Sequence, residues 1–369
     1  MAKKTLLQVR HNATGLMTTC NAYLQAFDPH QFRKVVVILK GRCNPELVAC
    51  IPADEVIFLG LENWKIQFPP LLAVYRLVSL CRQYAVDLVL AHRYKPAVIM
   101  AIVSFFYRPL SVVAVVHKNY QFNTAWRCLL GRLLLKSRLR FIGVSEATKE
   151  HIVSKGISRD GKDVLALPNC IDTEAIRAKL LTREEARRQL GVGSDEFIIG
   201  TVGRLSPVKD QITLLRAFAA CCDSIGRQRL VVAGDGRMEM ELKREAQRLG
   251  VADSVLFAGH IPEAYRIMPA FDVFALTSVS EALPRVALEA MTCGLPVVAT
   301  RAGGIPEVVG EIGALLECGD VEGIGAAFVT YGRMSEDERR ELGRRMSIRV
   351  ETYFSKQVFQ ERLQQFIWV

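Results

Sequence analysis

Short apolar runs, rich in valine, isoleucine and leucine, recur along this chain with stretches of helical length between them. In the first half they fall at 5–9, 35–39, 56–59, 87–91, 112–116, 140–144 and 164–167. In the second half they fall at 197–202, 230–233, 255–258, 273–276 and 295–299. These runs are continuous rather than alternating, so the sheet they form is buried on both faces, and strands of that kind separated by helices make a parallel sheet. Helices are expected over 70–84, 123–135, 210–220 and 239–249, and over 182–190, where Thr182 and Glu185 have capping-box spacing. The alternation stops at Pro168-Asn169-Cys170-Ile171-Asp172 and then restarts. The fold class is therefore α/β, with two Rossmann-like doubly wound domains at 1–172 and 173–352, followed by a terminal helix at 353–369.

Composition narrows the functional classes. Half of the 369 residues are hydrophobic and 23% are charged, an ordinary balance for a protein with a sizeable core. The most apolar segment, 97–116, is interrupted by Arg108 and Pro109, so it reads as a buried helix followed by a buried strand and not as a membrane span. No signal peptide is legible at the N-terminus. The ten cysteines are scattered without a C-x-x-C pair and the six histidines are dispersed, which predicts free thiols, a cytoplasmic protein and no protein-held metal.

The net charge of +10 is concentrated in the first half. Residues 1–172 hold 23 Lys and Arg against 11 Asp and Glu, leaving the remainder slightly acidic. A basic half of this kind either faces an anion, such as a membrane surface or a phosphorylated acceptor, or is a solvated surface. Nucleic acid is disfavoured, because no aromatic residues are interleaved with the basic ones for base stacking. The segment 126–140 mixes leucine with Arg127, Arg132, Lys136, Arg138 and Arg140. With 69–82, which carries Tyr75 and Arg76, it forms either a face for an anionic lipid surface or an ordinary covering layer with snorkelling basic side chains.

In doubly wound sheets ligands sit beyond the carboxyl ends of the strands. In the first half this singles out the loops at 11–15, 92–95 and 117–119. His117 directly follows a strand, where it either donates to a substrate hydroxyl or merely packs at the strand end. His92, beside Arg93 and Lys95, reads as part of an anion-contact loop. In the second half, Gly203 ends a strand, and Arg204 and Lys209 then offer a planar fork and a point charge to one anion. Between 278 and 308, Glu281 precedes a helix start at Pro284 and Glu289 follows one turn on. Proline suits the first helical position, and the free N–H groups near Arg285 and Val286 suit a phosphate. Either carboxylate could accept a pair of sugar hydroxyls. The alternatives are an i,i+4 pair of Glu289 with Arg285, and a solvated Glu281.

Taken in order, Gly203-Arg204-Leu205 with Lys209, Gly234-Asp235-Gly236, Glu281-Ala282-Leu283-Pro284 with Glu289, and Gly303-Gly304-Ile305-Pro306-Glu307 resemble glycosyltransferase family 4, the retaining GT-B sugar-nucleotide transferases. Cys170 and Ala282 stand where the family has glycines, and the first loop has one glycine where two are common. The resemblance implies two domains facing a central cleft and a hexose moved from a sugar nucleotide, a UDP-sugar favoured, without cofactor or metal. It implies that Arg204 and Lys209 bind the diphosphate, helped by the helix start at Leu283, Pro284, Arg285 and Val286. Glu289 would hold the ribose and Glu281 would lie near the hexose. Gly259 and His260 would flank the base, and His117 would reach the donor sugar. Gly15 would lie near phosphate and acceptor. The implied acceptor is an anionic glycan or glycolipid such as lipopolysaccharide core, with peripheral contact at the cytoplasmic face of the inner membrane. A sugar-nucleotide epimerase and a non-catalytic sugar-nucleotide-binding protein remain open on the same fold.

Overall fold

A computed structural model describes residues 3–13, 17–62, 70–107, 111–117, 122–135, 139–158, 161–222 and 224–368. The chain divides into two compact units, Met1–Cys170 with Lys356–Val369, and Ile171–Ser355.

The first unit is built on strands β1 (Lys4–Asn12), β2 (Phe32–Lys40), β3 (Glu55–Phe58), β4 (Val86–His92), β5 (Ser111–Val116), β6 (Leu139–Gly143) and β7 (Val164–Ala166). All neighbours pair in parallel, in the order β3-β2-β1-β4-β5-β6-β7. The chain winds outward from β1 to β3, then returns to the other side of β1 at β4, so the strand order reverses between β1 and β4. The expected strands form with ends shifted by a few residues. In β1 the pairing with β2 continues to Asn12 opposite Lys40, so His11 and Asn12 are strand residues and not loop. The backbone ladder continues there past the apolar run that signals the strand. Arg140 lies in β6, as the strand expected at 140–144 has it, apart from the helix expected over 123–135. That helix spans Ala125–Leu130, with Thr124 accepting from the Arg127 N–H, and then widens into a π-type turn, Gly131–Leu135.

The terminal helix, Lys356–Trp368, belongs to this unit. Phe359, Leu363 and Ile367 are buried, Phe359 lies edge-on to Tyr23 at 4.9 Å, and Arg362 donates to the Ala166 carbonyl at 2.8 Å. Phe354, just before this helix, is buried in the core of the second unit.

The second unit contains β8 (Phe197–Val202), β9 (Gln228–Ala233), β10 (Val255–Gly259), β11 (Val273–Leu276), β12 (Val297–Thr300) and β13 (Ala314–Leu316). Their order is β10-β9-β8-β11-β12-β13, again parallel, with the reversal between β8 and β11. β13 was not expected, since three residues are too short for a periodic pattern. The continuous apolar strands do what their composition requires. Ile198, Phe274 and Val297 enter one core cluster, while their neighbours Ile199, Val273 and Val298 enter another. Successive side chains of a strand point to opposite faces, so both faces need apolar residues. The Thr182–Glu185 capping box forms as expected at the start of helix Arg183–Leu190.

Candidate functional site

In the second unit the predicted site residues gather where the strand order reverses. Gly203 and Arg204 leave β8, and the following loop is fixed from three sides. The Gly203 N–H donates to Ala233 and the Leu205 N–H to Asp235, tying the loop to the end of β9, while Gly234 N–H donates to Gly259 on β10 at 2.7 Å. This contact needs glycine. A Cβ on Gly234 would stand 1.9 Å from the Gly203 carbonyl oxygen, and one on Gly236 would stand 2.2 Å from that of Leu205. The third tie comes from the far side: Val279 N–H donates to Val208, and the Thr277 hydroxyl donates to the Asp210 carbonyl at 2.9 Å.

Across this junction Lys209, carried after β8, donates to the carboxylate of Glu281, carried after β11. The Ser278 hydroxyl donates to the same carboxylate oxygen at 3.0 Å, and the Glu281 carbonyl accepts from Gly304 at 2.9 Å. The ammonium has three donors and the carboxylate several lone pairs, so the pair fixes both side chains and keeps hydrogen-bonding capacity for a ligand. The Arg204 guanidinium is exposed and has no side-chain partner among the described residues. Asp210, the next residue after Lys209, adopts left-handed backbone (φ +47°, ψ +48°) while its side chain caps helix Gln211–Ala220.

Helix Arg285–Thr292 starts beside this pair. Pro284 is its N-cap, with extended backbone, and not its first helical residue as the sequence suggested. Proline offers no side-chain oxygen, so no side chain caps this helix start. Its first N–H groups are the kind of donors that suit an anion. Glu289, largely buried, accepts from Arg285 Nε at 2.9 Å, so the i,i+4 pair exists. Burial pushes the Glu289 carboxyl above its ordinary range, with Arg285 opposing only in part. Gly259 ends β10, and His260 beyond it is exposed.

In the first unit the strand ends gather different chemistry. His92, at the end of β4, and His117, just past β5, are buried and stacked, with centroids 5.2 Å apart. His92 Nδ1 lies 2.9 Å from His117 Nε2, and His92 Nε2 lies 2.8 Å from Gln8 Nε2. The Gln8 amide also donates to the Cys20 carbonyl at 2.8 Å and accepts from Arg10 Nε at 2.6 Å. Burial keeps both imidazoles neutral, His92 well below the ordinary histidine range and His117 down to about 3. His92 is thus not the solvent-facing anion contact that its basic neighbours suggested. Arg10 Nη1, His11 Nδ1 and His117 Nδ1 are buried without partners among the described residues.

The fold also brings Cys20, His92 and His117 together, their ligand atoms within 4.8 Å of one another, although the sequence spacing predicted no such cluster. The two imidazoles share a hydrogen bond, His117 Nδ1 stays without a partner among the described residues, and burial pushes the Cys20 thiol up to about 11. Gly15 lies outside the described residues, as do Lys136 and Arg138 of the basic segment. No described helix is long and apolar enough to cross a membrane.

Two family models match the chain. The model for "Glycosyltransferase Family 4" matches residues 33–175, and that for "Glycosyl transferases group 1" matches residues 182–344. The chain belongs to the family 4 glycosyltransferases. Its fold is that of the Anabaena protein HepE in complex with UDP, with a TM-score of 0.82 at 23% identity and full coverage of both chains. It is 30% identical over 189 residues to N-acetyl-alpha-D-glucosaminyl L-malate synthase of Bacillus anthracis, covering 51% of this chain and 49% of that protein. It is 40% identical over 145 residues to a D-inositol 3-phosphate glycosyltransferase of Corynebacterium jeikeium, covering 36% of this chain and 35% of that protein. The chain spans about half the length, or less, of these curated relatives.

For a family 4 chain, Gln8, Arg10 and Cys20 are the side chains that sequence reasoning passed over. A signal was present: Gln8 and Arg10 lie two apart in a strand whose neighbours are aliphatic, so both point to one face. Buried polar groups in such a place need partners.

Proposed function

We propose that this protein is a retaining glycosyltransferase that moves a hexose from a nucleoside diphosphate donor to a hydroxyl of an anionic acceptor. The observation that carries this reading is the meeting of four elements where the second sheet reverses. These are an unpaired Arg204, a Lys209 fixed by Glu281, an uncapped helix start at Arg285 and a buried Glu289. Together they suit a diphosphate next to a diol. Arg204, Lys209 and the helix N–H groups stabilise charge as it develops on the leaving diphosphate, and fixed donors of this sort supply much of the barrier reduction in such reactions. Glu289 accepts from the ribose hydroxyls, Glu281 lies near the hexose, Gly259 and His260 flank the base, and His117 donates to a substrate oxygen. The acceptor oxygen bonds to the anomeric carbon on the face that the phosphate leaves. The carbon–oxygen bond to the diphosphate breaks, and the acceptor proton passes to the departing phosphate oxygen. Side-chain cations carry the charge in this scheme, so no metal is assigned a step.

For the donor we favour a uridine nucleotide, as in the HepE complex. An anionic acceptor is supported by the basic first 172 residues and by relatives named for malate and inositol phosphate, both anions. Lipopolysaccharide core and other cell-surface glycans or glycolipids meet the same requirement. A membrane-bound acceptor, taken at the cytoplasmic face, is further supported by exposed Leu71, Tyr75, Trp126 and Leu133 among the basic residues of that region. The test is a thermal-shift panel of uridine, guanosine and adenosine sugar nucleotides, followed by product analysis with anionic and neutral acceptors. Stabilisation by one sugar nucleotide and acceptor-dependent release of the diphosphate are expected. Turnover to an isomeric sugar without an acceptor would replace this reading with an epimerase, and binding without turnover would replace it with a binding protein.

A further inference from the structure

The hydrogen bonds around His92 have only one consistent polarity. Arg10 can only donate, so the Gln8 atom it meets is the amide oxygen. The Cys20 carbonyl can only accept, so the Gln8 atom facing it is the nitrogen. These two contacts fix the amide independently and agree. The Gln8 nitrogen therefore donates to His92 Nε2 as well, which leaves the proton of neutral His92 on Nδ1. That proton points at His117 Nε2, which must accept. Neutral His117 then carries its proton on Nδ1, which is buried and without a partner among the described residues.

We infer that Arg10, Gln8 and His92 are positioning residues that lock His117 in the Nδ1–H tautomer, so that it offers a hydrogen-bond donor to a sugar or phosphate oxygen of the substrate. The inference rests on the transferase reading only for the identity of that oxygen. The assembly has the rigidity such a role needs. Gln8 and Arg10 belong to the central strand β1, His92 ends its neighbour β4, and His117 follows the next strand, β5. Gln8, Arg10, His92 and His117 are all at least nine-tenths buried. The residue after His92 holds a strained conformation: Arg93 has φ +75° and ψ 173°, which few residues other than glycine adopt, while its N–H donates to Val115 at 2.9 Å. Tyr23 closes the other side, edge-on to His92 at 5.2 Å. A doubly protonated His117 would set two N–H groups against each other, so the chain disfavours it. His117 acts here as a donor of fixed direction and not as a proton-transferring acid.

The test begins without substrate. In the full-length protein labelled with 15N at histidine, His117 is expected to show a protonated Nδ1 and an unprotonated Nε2 at neutral pH. His92→Phe, which keeps a planar ring, and Gln8→Leu are each expected to abolish this preference. Once a sugar nucleotide is known to bind, both are expected to lower kcat about 10- to 100-fold with KM changed much less, as when the partner of an active-site histidine is removed. His92→Asn, whose Nδ2 stands where Nδ1 stood, is expected to recover most of the loss. An Nε2–H tautomer in the unmodified protein would overturn the inference, whatever the variants do. So would zinc titration that shifts both histidine signals at one equivalent, since a metal between Cys20, His92 and His117 replaces the hydrogen bonds. Failure of every sugar nucleotide to bind would leave the tautomer result standing and would instead remove the transferase reading.

Discussion

The two units reverse strand order in the same way, at β1/β4 and at β8/β11, yet opposite chemistry collects at the two reversals. At β8/β11 the groups are charged and half-exposed: Arg204 in solvent and Lys209 against Glu281. At β1/β4 they are buried and neutral at the end that matters, with Gln8, His92 and His117 linked in one direction. Charges in water act through a field that solvent and salt weaken. A buried neutral donor contributes little field, but its direction is fixed, because leaving a partner unsatisfied is expensive. On the proposed reading, one topology supplies a charge-stabilising site in one unit and an orienting site in the other. Both also place a non-glycine residue at positive φ in the turn, Asp210 beside Lys209 and Arg93 beside His92.

The sharpest way to break this contrast is to remove the exposed charges. Arg204→Ala and Lys209→Ala are each expected to lower kcat about 10²- to 10³-fold, the range for deleting one preorganised donor to a developing anion. Arg204→Lys should recover only part of the loss, because an ammonium lacks the planar fork. Steady-state assays against a sugar nucleotide check this, and undiminished turnover of Arg204→Ala would remove the electrostatic account of the second unit.

Much of the second site was legible before the structure, and less of the first. Gly203, Arg204, Lys209 and Glu281 sit in short loops after apolar strands, and Glu289 sits in the second turn of the helix that follows, so local sequence order carries their spatial order. The strand ends explain themselves for the same reason: Phe197–Val202 and Val273–Leu276 were bounded correctly by their apolar runs. The Gln8–His92–His117 chain was not legible because its members are 84 and 25 residues apart and meet only through the strand order. His92 was misread for a related reason: Arg93 and Lys95 are its neighbours in sequence, while its neighbours in space are Gln8, Tyr23 and His117.

A second prediction tests the scaffold behind the exposed site. Gly234→Ala adds a methyl group where the Gly203 carbonyl already stands, and no flexible side chain is available to yield. Overpacking of this kind costs about 1–3 kcal/mol. For a unit of this size each kcal/mol lowers Tm by about 2–4 °C. Calorimetry should show the drop, and nucleotide affinity should fall with it because the Gly203–Lys209 loop is displaced. Gly226→Ala serves as the contrast, since a Cβ there meets nothing within 4 Å and only its positive φ opposes the change.

The smallest expected effects are on pH dependence, and they separate the two sites most cleanly. Glu289 must be ionised to accept both hydroxyls of a diol, and burial raises its carboxyl pKa. The ionised fraction therefore falls as pH drops toward that raised value, and nucleotide affinity should weaken at a higher pH than an unperturbed glutamate would allow. His117 is held down to about 3, so between pH 5 and 8 it stays neutral and its donor remains in place. Nearby Arg93 opposes its protonation further, as does the Nδ1–H of His92. Binding measured across this range should thus show one acid limb belonging to the second unit. Glu289→Gln, which keeps one acceptor oxygen, should weaken binding about 10-fold or more, as expected for a lost charge-assisted hydrogen bond, and flatten that limb. His117→Gln should lower turnover and leave the limb unmoved. If the limb instead follows His117, the imidazole titrates in the working range and the division between a charged site and a neutral, directional one fails.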